Sequence, residues 1–166
     1  MKIRQAIAED NGLIHDLAVP AWEVAYADIL TKEQFAYMIE KMYSDEALKQ
    51  QMKDGHTFFI VSLDDGKPIG FVSINPKSES LYILEKLYVL PEAHGSGAGR
   101  FLVEHVEKHI CELHPGKKIT LELNVNRNNK AVNFYQHIGY HADRKVDEYI
   151  GNGFYKNDYI MQKILG

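Results

Sequence analysis

Residues 94–100 read HGSGAGR, so three glycines stand at alternate positions between an apolar run and an amphipathic segment. Glycine loses much conformational entropy on folding and packs nothing, so three together indicate that a ligand approaches the backbone closely. A helix is predicted to follow over 97–113. The amide N–H groups of 95–100 would therefore point at an anion, and the helix dipole would add to the attraction. The chemistry predicted for this loop is phosphate binding.

Other interpretations of the glycine loop are a P-loop, a dinucleotide-binding fingerprint and a purely structural turn. A P-loop has Lys and then Ser or Thr after its last glycine, where this chain has Arg100 and Phe101. The dinucleotide fingerprint needs glycine at the sixth position from Gly95, which is Arg100, and an early strand–turn–helix unit around it. What remains is a strand, a bend at Pro91 and a loop that opens a helix. The glycines alone leave anion binding and a structural turn equally weighted.

A second segment, NVNRNNKAVNFYQHIGY, combines polar and aromatic residues at fixed spacing. Asn128 precedes Ala131, and Tyr135 precedes a Gly139–Tyr140 pair. Taken alone, Asn128 is typical of a helix N-cap, and Tyr135 lies on the apolar side of a short helix, as a core aromatic would. Together with HGSGAG, the segment resembles the GNAT family of acetyl-CoA-dependent N-acetyltransferases. In that family the loop has the pattern Arg/Gln-x-x-Gly-x-Gly/Ala, and the later segment has the pattern Asn-x-x-Ala-x-x-x-Tyr-x-x-x-Gly-aromatic.

The resemblance extends over almost the whole chain. It implies a single acetyltransferase domain over residues 1–166 with the GNAT fold, of the α/β (α+β) class. In that fold a central mixed, mostly antiparallel seven-stranded sheet is splayed between its fourth and fifth strands and flanked by helices. The resemblance also implies acetyl-CoA as the cosubstrate.

The resemblance assigns roles in holding acetyl-CoA. The backbone of residues 87–89 would pair with the pantetheine arm, and the amide of Tyr88 or Val89 would face the thioester oxygen. The loop amides would hold the pyrophosphate, with His94 standing where the family usually has Arg or Gln, and Asn128 would hydrogen-bond the cofactor near the arm. The cofactor-binding residues implied in this way are Leu87, Tyr88, Val89, His94, Gly95, Ser96, Gly97, Ala98, Gly99, Arg100 and Asn128.

Amide formation from a thioester and an amine needs a polarised carbonyl, a deprotonated amine and a proton for the departing thiolate. By resemblance, Tyr135 is the general acid that supplies this proton. Glu85 is the leading candidate for the general base. Alternate side chains of a strand point to the same face, so Glu85 would face the same way as Leu87 and Val89. A carboxylate inside the apolar run SLYILEKLYVL is costly to bury alone, so a salt bridge is the structural alternative. Many family members deprotonate the amine through waters instead.

By the same resemblance, the acceptor is expected against the first helices and the late strands. Trp22, Tyr26 and Tyr43 are predicted to form an aromatic wall with Glu23 and Asp28 nearby, a lining that suits an alkyl ammonium group. Equally, helical spacing of such residues is typical of ordinary core and surface. The predicted substrate-binding residues are Trp22, Tyr26 and Glu85.

The tail IGNGFYKNDYIMQKIL and the run LEKLYVL resemble the branch that contains bacterial spermidine/spermine acetyltransferases. This resemblance implies direct acetyl transfer, in a ternary complex, to a primary amine of a small molecule such as a polyamine. One alternative is an enzyme acting on protein N-termini or lysines, which would have an open groove. Another is a binding module that holds acyl-CoA without catalysis, which the retained Tyr135, Asn128 and glycines argue against. The resemblance also favours a homodimer.

The elements that must position these residues follow from periodicity. KIRQAI predicts a first strand over 2–7, and helices are predicted around 11–18, 32–43 and 45–53. The runs HTFFIVSL, KPIGFVSIN and SLYILEKLYVL predict three consecutive strands, the first two joined by a hairpin turn at DDG. After the long helix come the strand KITLELNV, a short helix ended by Gly139, and the closing strands GYHADRKVDEYI and NDYIMQKIL.

Composition bounds the class of protein. The 166 residues, 45% hydrophobic and 25% charged, are typical of one globular domain with a full core. A net charge of −4 and a pI near 6.0 give no sign of the positively charged surface that nucleic-acid binding needs, so no nucleic-acid partner is predicted. Cys111 alone excludes an internal disulfide. Without a signal-like or membrane-length apolar run, a cytoplasmic protein without a membrane partner is expected.

Two histidines on the long helix raise the question of a metal site. His105 and His109 stand four positions apart, as in a zinc-binding helix. A zincin motif needs glutamate directly after the first histidine, whereas Val106 follows here and the acid is Glu107. We therefore predict a solvated helix face and no metal.

Overall fold

The structure is a computed structural model that describes residues 1–151 and 153–166. Within them, a single sheet has the strand order β1-β2-β3-β4-β5-β7-β6. The strands are β1 (Lys2–Gln5), β2 (Thr57–Ser62), β3 (Pro68–Pro76), β4 (Leu81–Val89), β5 (Ile119–Asn126), β6 (His141–Gly151) and β7 (Phe154–Leu165). The α-helices are α1 (Asn11–Ala25), α2 (Lys32–Tyr43), α3 (Asp45–Lys53), α4 (Ala98–Leu113) and α5 (Ala131–His137). None of the described helices is long and apolar enough to cross a bilayer.

The sheet opens between its fourth and fifth strands. β4 and β5 are parallel and pair only from Leu81–Leu84 against Thr120–Leu123, whereas the other neighbouring strands are antiparallel. Among the described residues, no ladder joins the two strands beyond Leu84 and Leu123, so Glu85 to Val89 lie across a gap from the end of β5. The predicted mixed, seven-stranded sheet splayed at this place is confirmed.

Helices cover both faces of the sheet and give two cores. On one face, α4 and α5 pack with residues such as Leu84, Leu102 and Leu123. On the other, α1, α2 and α3 pack with Phe58 and Phe71. The sheet residues that reach the gap can therefore present side chains to either layer.

Helices α2 and α3 have the predicted bounds, but α1 is longer than predicted. The segment 11–18 is only its first half, because Ala21 and Trp22 continue the buried face past Pro20 to Ala25. This extension brings the aromatic end of α1 over the gap in the sheet.

A bulge in β4 changes which side chains face which layer. Ser73 pairs with Lys86 but Ile74 pairs with Leu84, so Glu85 is an extra residue without a partner in β3. After the bulge, Leu87 packs on the α4 layer with Leu84, although three positions separate them. The parity argument that placed Glu85 on the same face as Leu87 and Val89 is therefore wrong.

Candidate active site

Two residues of the glycine loop have positive φ angles, a left-handed conformation that glycine adopts with little strain. Gly95 has φ 82° and Gly97, the N-cap of α4, has φ 86°. A side chain at either position would strain the backbone by roughly 1–2 kcal/mol. Gly99 serves packing instead, because an added Cβ would lie 3.4 Å from Cζ of Phe134 in α5. Two glycines shape the loop, and the third allows α4 and α5 to approach each other.

Several loop amides are available to a ligand. The Ser96 amide donates to the Ala93 carbonyl at 3.2 Å, and the Ala98 amide donates to Oγ of Ser96 at 3.3 Å. By contrast, the amides of Gly95, Gly97, Gly99 and Arg100 have no acceptor among the described residues. Four orphan N–H groups at the N-terminus of a 16-residue helix form a cradle suited to a pyrophosphate.

The side chains of His94 and Arg100 serve the loop itself. Nε2 of His94 lies 3.0 Å from the carbonyl oxygen of Val89, so the ring N–H donates to the end of β4 and closes the loop. The guanidinium of Arg100 lies 2.8 Å from Glu104 on the exposed side of α4. Both residues can therefore bind a cofactor through backbone groups, because their side chains form contacts within the protein.

The backbone of β4 presents two residues to the gap. The Leu90 amide donates to Ile69 of β3 at 2.8 Å, and residues opposite each other in an antiparallel pair alternate between bonded and non-bonded pairs. Counting back along the ladder, Tyr88 is bonded to β3, whereas Leu87 and Val89 turn their N–H and C=O groups towards β5. The Val89 carbonyl oxygen is the one that His94 bonds, so the groups left for a ligand are the Val89 N–H and both groups of Leu87. Of the two amides predicted to face a thioester oxygen, Val89 has the required direction and Tyr88 does not.

Tyr135 lies on α5 with its ring buried and 7% of its surface exposed. Its ring centroid is 5.3 Å from that of Phe134 and 6.0 Å from that of Tyr140. Burial raises the pKa of Tyr135, and the nearby Tyr26 hydroxyl adds to the increase. The phenol therefore stays protonated throughout the neutral range, as a proton donor must.

Asn128 is exposed just before α5, and the structure corrects its alternative interpretation. Its amide donates to Oδ1 of Asn126 at 2.9 Å. The residue that caps the first turn is Asn129, whose Oδ1 accepts from the Ala131 amide at 2.8 Å. The N-cap interpretation of Asn128 is wrong, and its side chain is exposed.

A cavity of about 490 Å³ opens beside the splay, on the face covered by α1 and α2. It is walled by aromatic side chains, by two lysines and by four carboxylates that come from four different strands. These residues are Trp22, Tyr26, Tyr88, Phe154, Tyr155, Lys77, Lys156, Glu85, Glu122, Glu148 and Asp158. The negative charges outnumber the positive ones, so the cavity favours a cation.

The aromatic wall of the cavity is cross-braced. The rings of Trp22 and Tyr26 lie 4.4 Å apart, and the hydroxyls of Tyr26 and Tyr88 share a hydrogen bond of 2.9 Å. Tyr43 lies behind them, fully buried, and its hydroxyl accepts from Nε1 of Trp22 at 3.1 Å. Trp22 and Tyr26 thus occupy the predicted wall, and Tyr43 supports it from the core.

The acids of the cavity are not the ones predicted beside this wall. Glu23 and Asp28 are exposed and do not line the cavity. Glu85 does line it, as an exposed side chain on the bulge whose Oε1 accepts from Nδ2 of Asn75 at 3.2 Å. The bulge therefore brings Glu85 to the acceptor side by a route that strand parity did not foresee.

The predicted absence of a metal remains a prediction. The rings of His105 and His109 lie edge-on to Phe59, with centroid distances of 4.7 and 5.1 Å. Among residues 1–151 and 153–166, no group of three His, Cys, Asp or Glu side chains is placed to hold a metal ion.

A family model for the acetyltransferase (GNAT) domain matches residues 26–163. The chain belongs to the GNAT family. It is 28% identical over 110 residues to the uncharacterized N-acetyltransferase YhfO of Bacillus subtilis, a match that covers 63% of this chain and 72% of the relative. Membership of the family makes this chain a GNAT-type N-acetyltransferase.

Solved structures share the fold of this GNAT enzyme over nearly its full length. PaiA N-acetyltransferase from Thermoplasma acidophilum, solved in complex with coenzyme A, matches with a TM-score of 0.80 and 24% identity, covering 98% of this chain and 99% of that one. Spermidine/spermine N-acetyltransferase SpeG from Vibrio cholerae matches with a TM-score of 0.67 and 20% identity, covering 98% and 91%. At these identities the likeness shows the fold alone.

Asp158 is among the residues of this GNAT site that the sequence pattern did not reveal. Asp158 on β7 lines the cavity and is only 4% exposed. The signal was present, because Asp158 interrupts the apolar closing strand and stands in phase with the buried Ile160. Sequence alone did not show that β7 inserts between β5 and β6, which places Asp158 beside Asn126 near the gap.

Proposed function

We propose that this GNAT enzyme transfers an acetyl group from acetyl-CoA to a primary amine of a small polycation, a polyamine being the leading acceptor. The observation that carries the proposal is the cavity beside the splay, where carboxylates of β4, β5, β6 and β7 meet aromatic rings. Carboxylates balance the charge of alkyl ammonium groups, and aromatic faces attract them.

The chain offers a fitting site for the cosubstrate. The orphan amides of the glycine loop suit the pyrophosphate, and the backbone of Leu87 and Val89, which points into the gap, suits the amides of the pantetheine arm. Asn128 stands exposed at the same end of β5. When bound, acetyl-CoA supplies the thioester acetyl group. Val89 N–H is then the donor directed at the thioester oxygen.

The enclosure of the cavity supports a small acceptor. The hairpin of β6 and β7 reaches α2, where the hydroxyl of Tyr37 and Nζ of Lys41 donate to the Ile150 carbonyl at 3.1 and 3.0 Å. The rings of Tyr37 and Phe154 also pack, with centroids 5.4 Å apart. These contacts bridge the acceptor side, whereas a polypeptide acceptor needs an open groove.

Direct transfer fits the arrangement of the two sites. The gap that suits the pantetheine arm and the acidic cavity adjoin at the same strand ends, so both substrates can be bound together. In this proposal Tyr135 protonates the departing thiolate; its neutral phenol and its position near Tyr26 and Tyr88, which line the cavity, support the role. No covalent acetyl-enzyme is required.

The test is release of CoA from acetyl-CoA against a panel of amines. It includes spermidine, spermine, a monoamine of equal length, amino acids, an N-terminal peptide and a lysine peptide. Cys111→Ala serves as the control, because a thiol-detecting readout also sees the protein's free cysteine. Saturable turnover with polyamines, and weaker turnover with the monoamine, supports the proposal. A peptide that outcompetes every free amine would replace it, and acetyl-CoA binding without any turnover would indicate a binding module.

A further inference from the structure

Asp158 is a buried carboxylate with one long ion pair, and the roles above do not account for it. Its side chain is 5% exposed, and its nearest cation, Nζ of Lys156, stands 3.8 Å away on the same strand. Nδ2 of Asn124 is at 3.5 Å, the limit of a hydrogen bond. A carboxylate that has been removed from water and given only distant partners is costly, so a function is indicated.

The register of the sheet places Asp158 level with the reacting end of the gap. β4 and β5 part after Leu84 and Leu123, and Asp158 pairs with Asn126, three residues further along β5. Because Glu85 is an extra residue in the bulge, Tyr88 is the residue three strand positions beyond Leu84. Asp158 therefore lies near the same height as the Leu87–Val89 backbone, which is suited to the pantetheine arm. Its side chain points into the acceptor cavity.

We propose that Asp158 is the general base that takes the proton from the acceptor ammonium, a role that rests on the proposed function. The carboxylate accepts one proton from R–NH3⁺, and the neutral amine forms the C–N bond to the thioester carbonyl carbon. The C–S bond breaks, and Tyr135 gives its proton to the thiolate. The phenolate regains a proton from the amide nitrogen, and Asp158 releases its proton to solvent.

Groups on every neighbouring element act on Asp158. Burial raises its pKa, and the carboxylate of Glu148 on β6 adds to the increase, whereas Lys156, Asn124 and Arg127 oppose it. On α1, burial raises the pKa of Tyr26, and the nearby negative charge of Asp158 adds to the increase. From β4, Glu85 and Tyr88 line the same cavity. The net effect gives the carboxylate a stronger hold on a proton than an exposed aspartate has.

Glu85 is less suited to be the base. It is exposed, it sits at the start of the splay rather than beside its open end, and Asn75 hydrogen-bonds its Oε1. A solvated carboxylate there can attract the distal ammonium of a polycation. Glu85→Gln is therefore the matched comparison for Asp158→Asn, since each variant removes one carboxylate charge from the same cavity with little change of shape.

The experiment compares pH–rate profiles of the wild type, Asp158→Asn and Glu85→Gln with the best amine of the panel. We expect Asp158→Asn to lose about 100-fold or more in kcat at neutral pH and to keep its affinity for acetyl-CoA in calorimetry. Its remaining rate should rise about tenfold per pH unit, as free amine accumulates, towards the pKa of the acceptor. The wild-type rate should instead level off at lower pH. Glu85→Gln should raise KM and keep the shape of the wild-type profile.

Several outcomes overturn this role of Asp158. One is that the wild type is active and Asp158→Asn loses less than threefold in kcat. Another is that the pH–rate profile of Asp158→Asn runs parallel to that of the wild type. If the rate of Glu85→Gln, rather than that of Asp158→Asn, rose about tenfold per pH unit, the base would be Glu85 instead. If the wild type acetylated no amine, the proposed function would fall, and the role of Asp158 with it.

A second variant guards against misfolding. Asp158→Glu keeps the carboxylate and should retain a levelling profile with a reduced rate, whereas a purely structural role predicts equal losses in both variants. Acetyl-CoA affinity and thermal unfolding are measured for each variant.

Discussion

Nζ of Lys86 donates a hydrogen bond of 2.7 Å to Oε1 of Gln51, and this contact joins β4 to α3 directly after the bulge. Lys86 is 4% exposed, and its ammonium lies 5.4 Å from the ring centroid of Tyr43 and 5.6 Å from that of Phe58. The bulge gives Lys86 this polar and aromatic pocket and leaves Glu85 to the cavity. The two adjacent residues thus depend on one irregularity of the strand.

The first prediction concerns how stability depends on pH at Lys86. Burial lowers the pKa of Lys86 to about 8 from its ordinary 10.5, and the Glu85 carboxylate offsets part of the decrease. Between these two values the unfolded chain binds the extra proton, so the free energy of unfolding contributed by this residue increases as pH rises. The gain is about 3 kcal/mol at most.

Lys86→Met removes this gain. Urea unfolding at pH 7.5 and at pH 10 should show the wild type gaining roughly 2–3 kcal/mol relative to Lys86→Met over this interval. Lys53→Met, an exposed lysine of α3, is the control and should follow the wild type. Equal pH dependence of the wild type and Lys86→Met would show that Lys86 is not desolvated in solution.

The second prediction separates ligand binding from backbone strain in the glycine loop. Gly97→Val should abolish measurable acetyl-CoA binding in calorimetry, because the side chain forces the αL residue at the N-cap of α4 out of its conformation. Gly66→Val is the matched control. It has a similar φ of 92°, lies in the β2–β3 turn, and has open space around its Cβ.

Both glycine variants should lose about 1–2 kcal/mol of stability, since the backbone penalty is the same. Gly66→Val should keep the wild-type affinity for acetyl-CoA. Wild-type affinity in Gly97→Val would rule out this loop as the pyrophosphate site.

Local signals predicted most of the fold. Periodicity located α2 and α3 at their observed bounds. At their starts, Thr31 and Gln34 form a capping box and Ser44 accepts from the Ala47 amide. Gly139 ends α5 with φ 100°, as its position predicted. These features depend on residues within one turn of each other, and for that reason the sequence reveals them.

The parts that sequence did not predict depend on distant contacts. The bulge at Glu85 exists only relative to the pairing of β4 with β3, so counting alternate residues along β4 gave the wrong face. Asp158 reaches the cavity because β7 lies between β5 and β6, an order that strand periodicity does not encode. Strand periodicity therefore did not identify Asp158 as a candidate base.

The third prediction tests Tyr135 as the proton donor. Tyr135→Phe removes only the hydroxyl from a buried ring, so acetyl-CoA affinity should stay within twofold of the wild type while kcat falls about 100-fold. Tyr82→Phe is the control, because Tyr82 is a similarly buried tyrosine near the start of β4, and its hydroxyl bonds His114, the residue after α4, at 2.9 Å. Full turnover in Tyr135→Phe would exclude the phenol as the acid.

The fourth prediction concerns a clamp formed by Glu107, Tyr140 and Lys163, which holds α5 in place. Nζ of Lys163 donates to Oε1 of Glu107 at 3.0 Å and to the Ile138 carbonyl, at the end of α5, at 3.1 Å. The hydroxyl of Tyr140 donates to Oε2 of Glu107 at 2.9 Å. This network fixes the C-terminal end of α5 to α4 and β7, and Tyr135 lies one turn before that end.

Lys163→Met should lower the free energy of unfolding by about 1–3 kcal/mol, because it leaves the Glu107 carboxylate half-buried without its cation. Lys108→Met, which breaks an exposed pair with Glu112, should cost less than about 1 kcal/mol. If the clamp acts through Tyr135, Lys163→Met should lower kcat in the wild type but add nothing in the Tyr135→Phe background. Additive losses of kcat in the double variant would show that Lys163 affects turnover by another route.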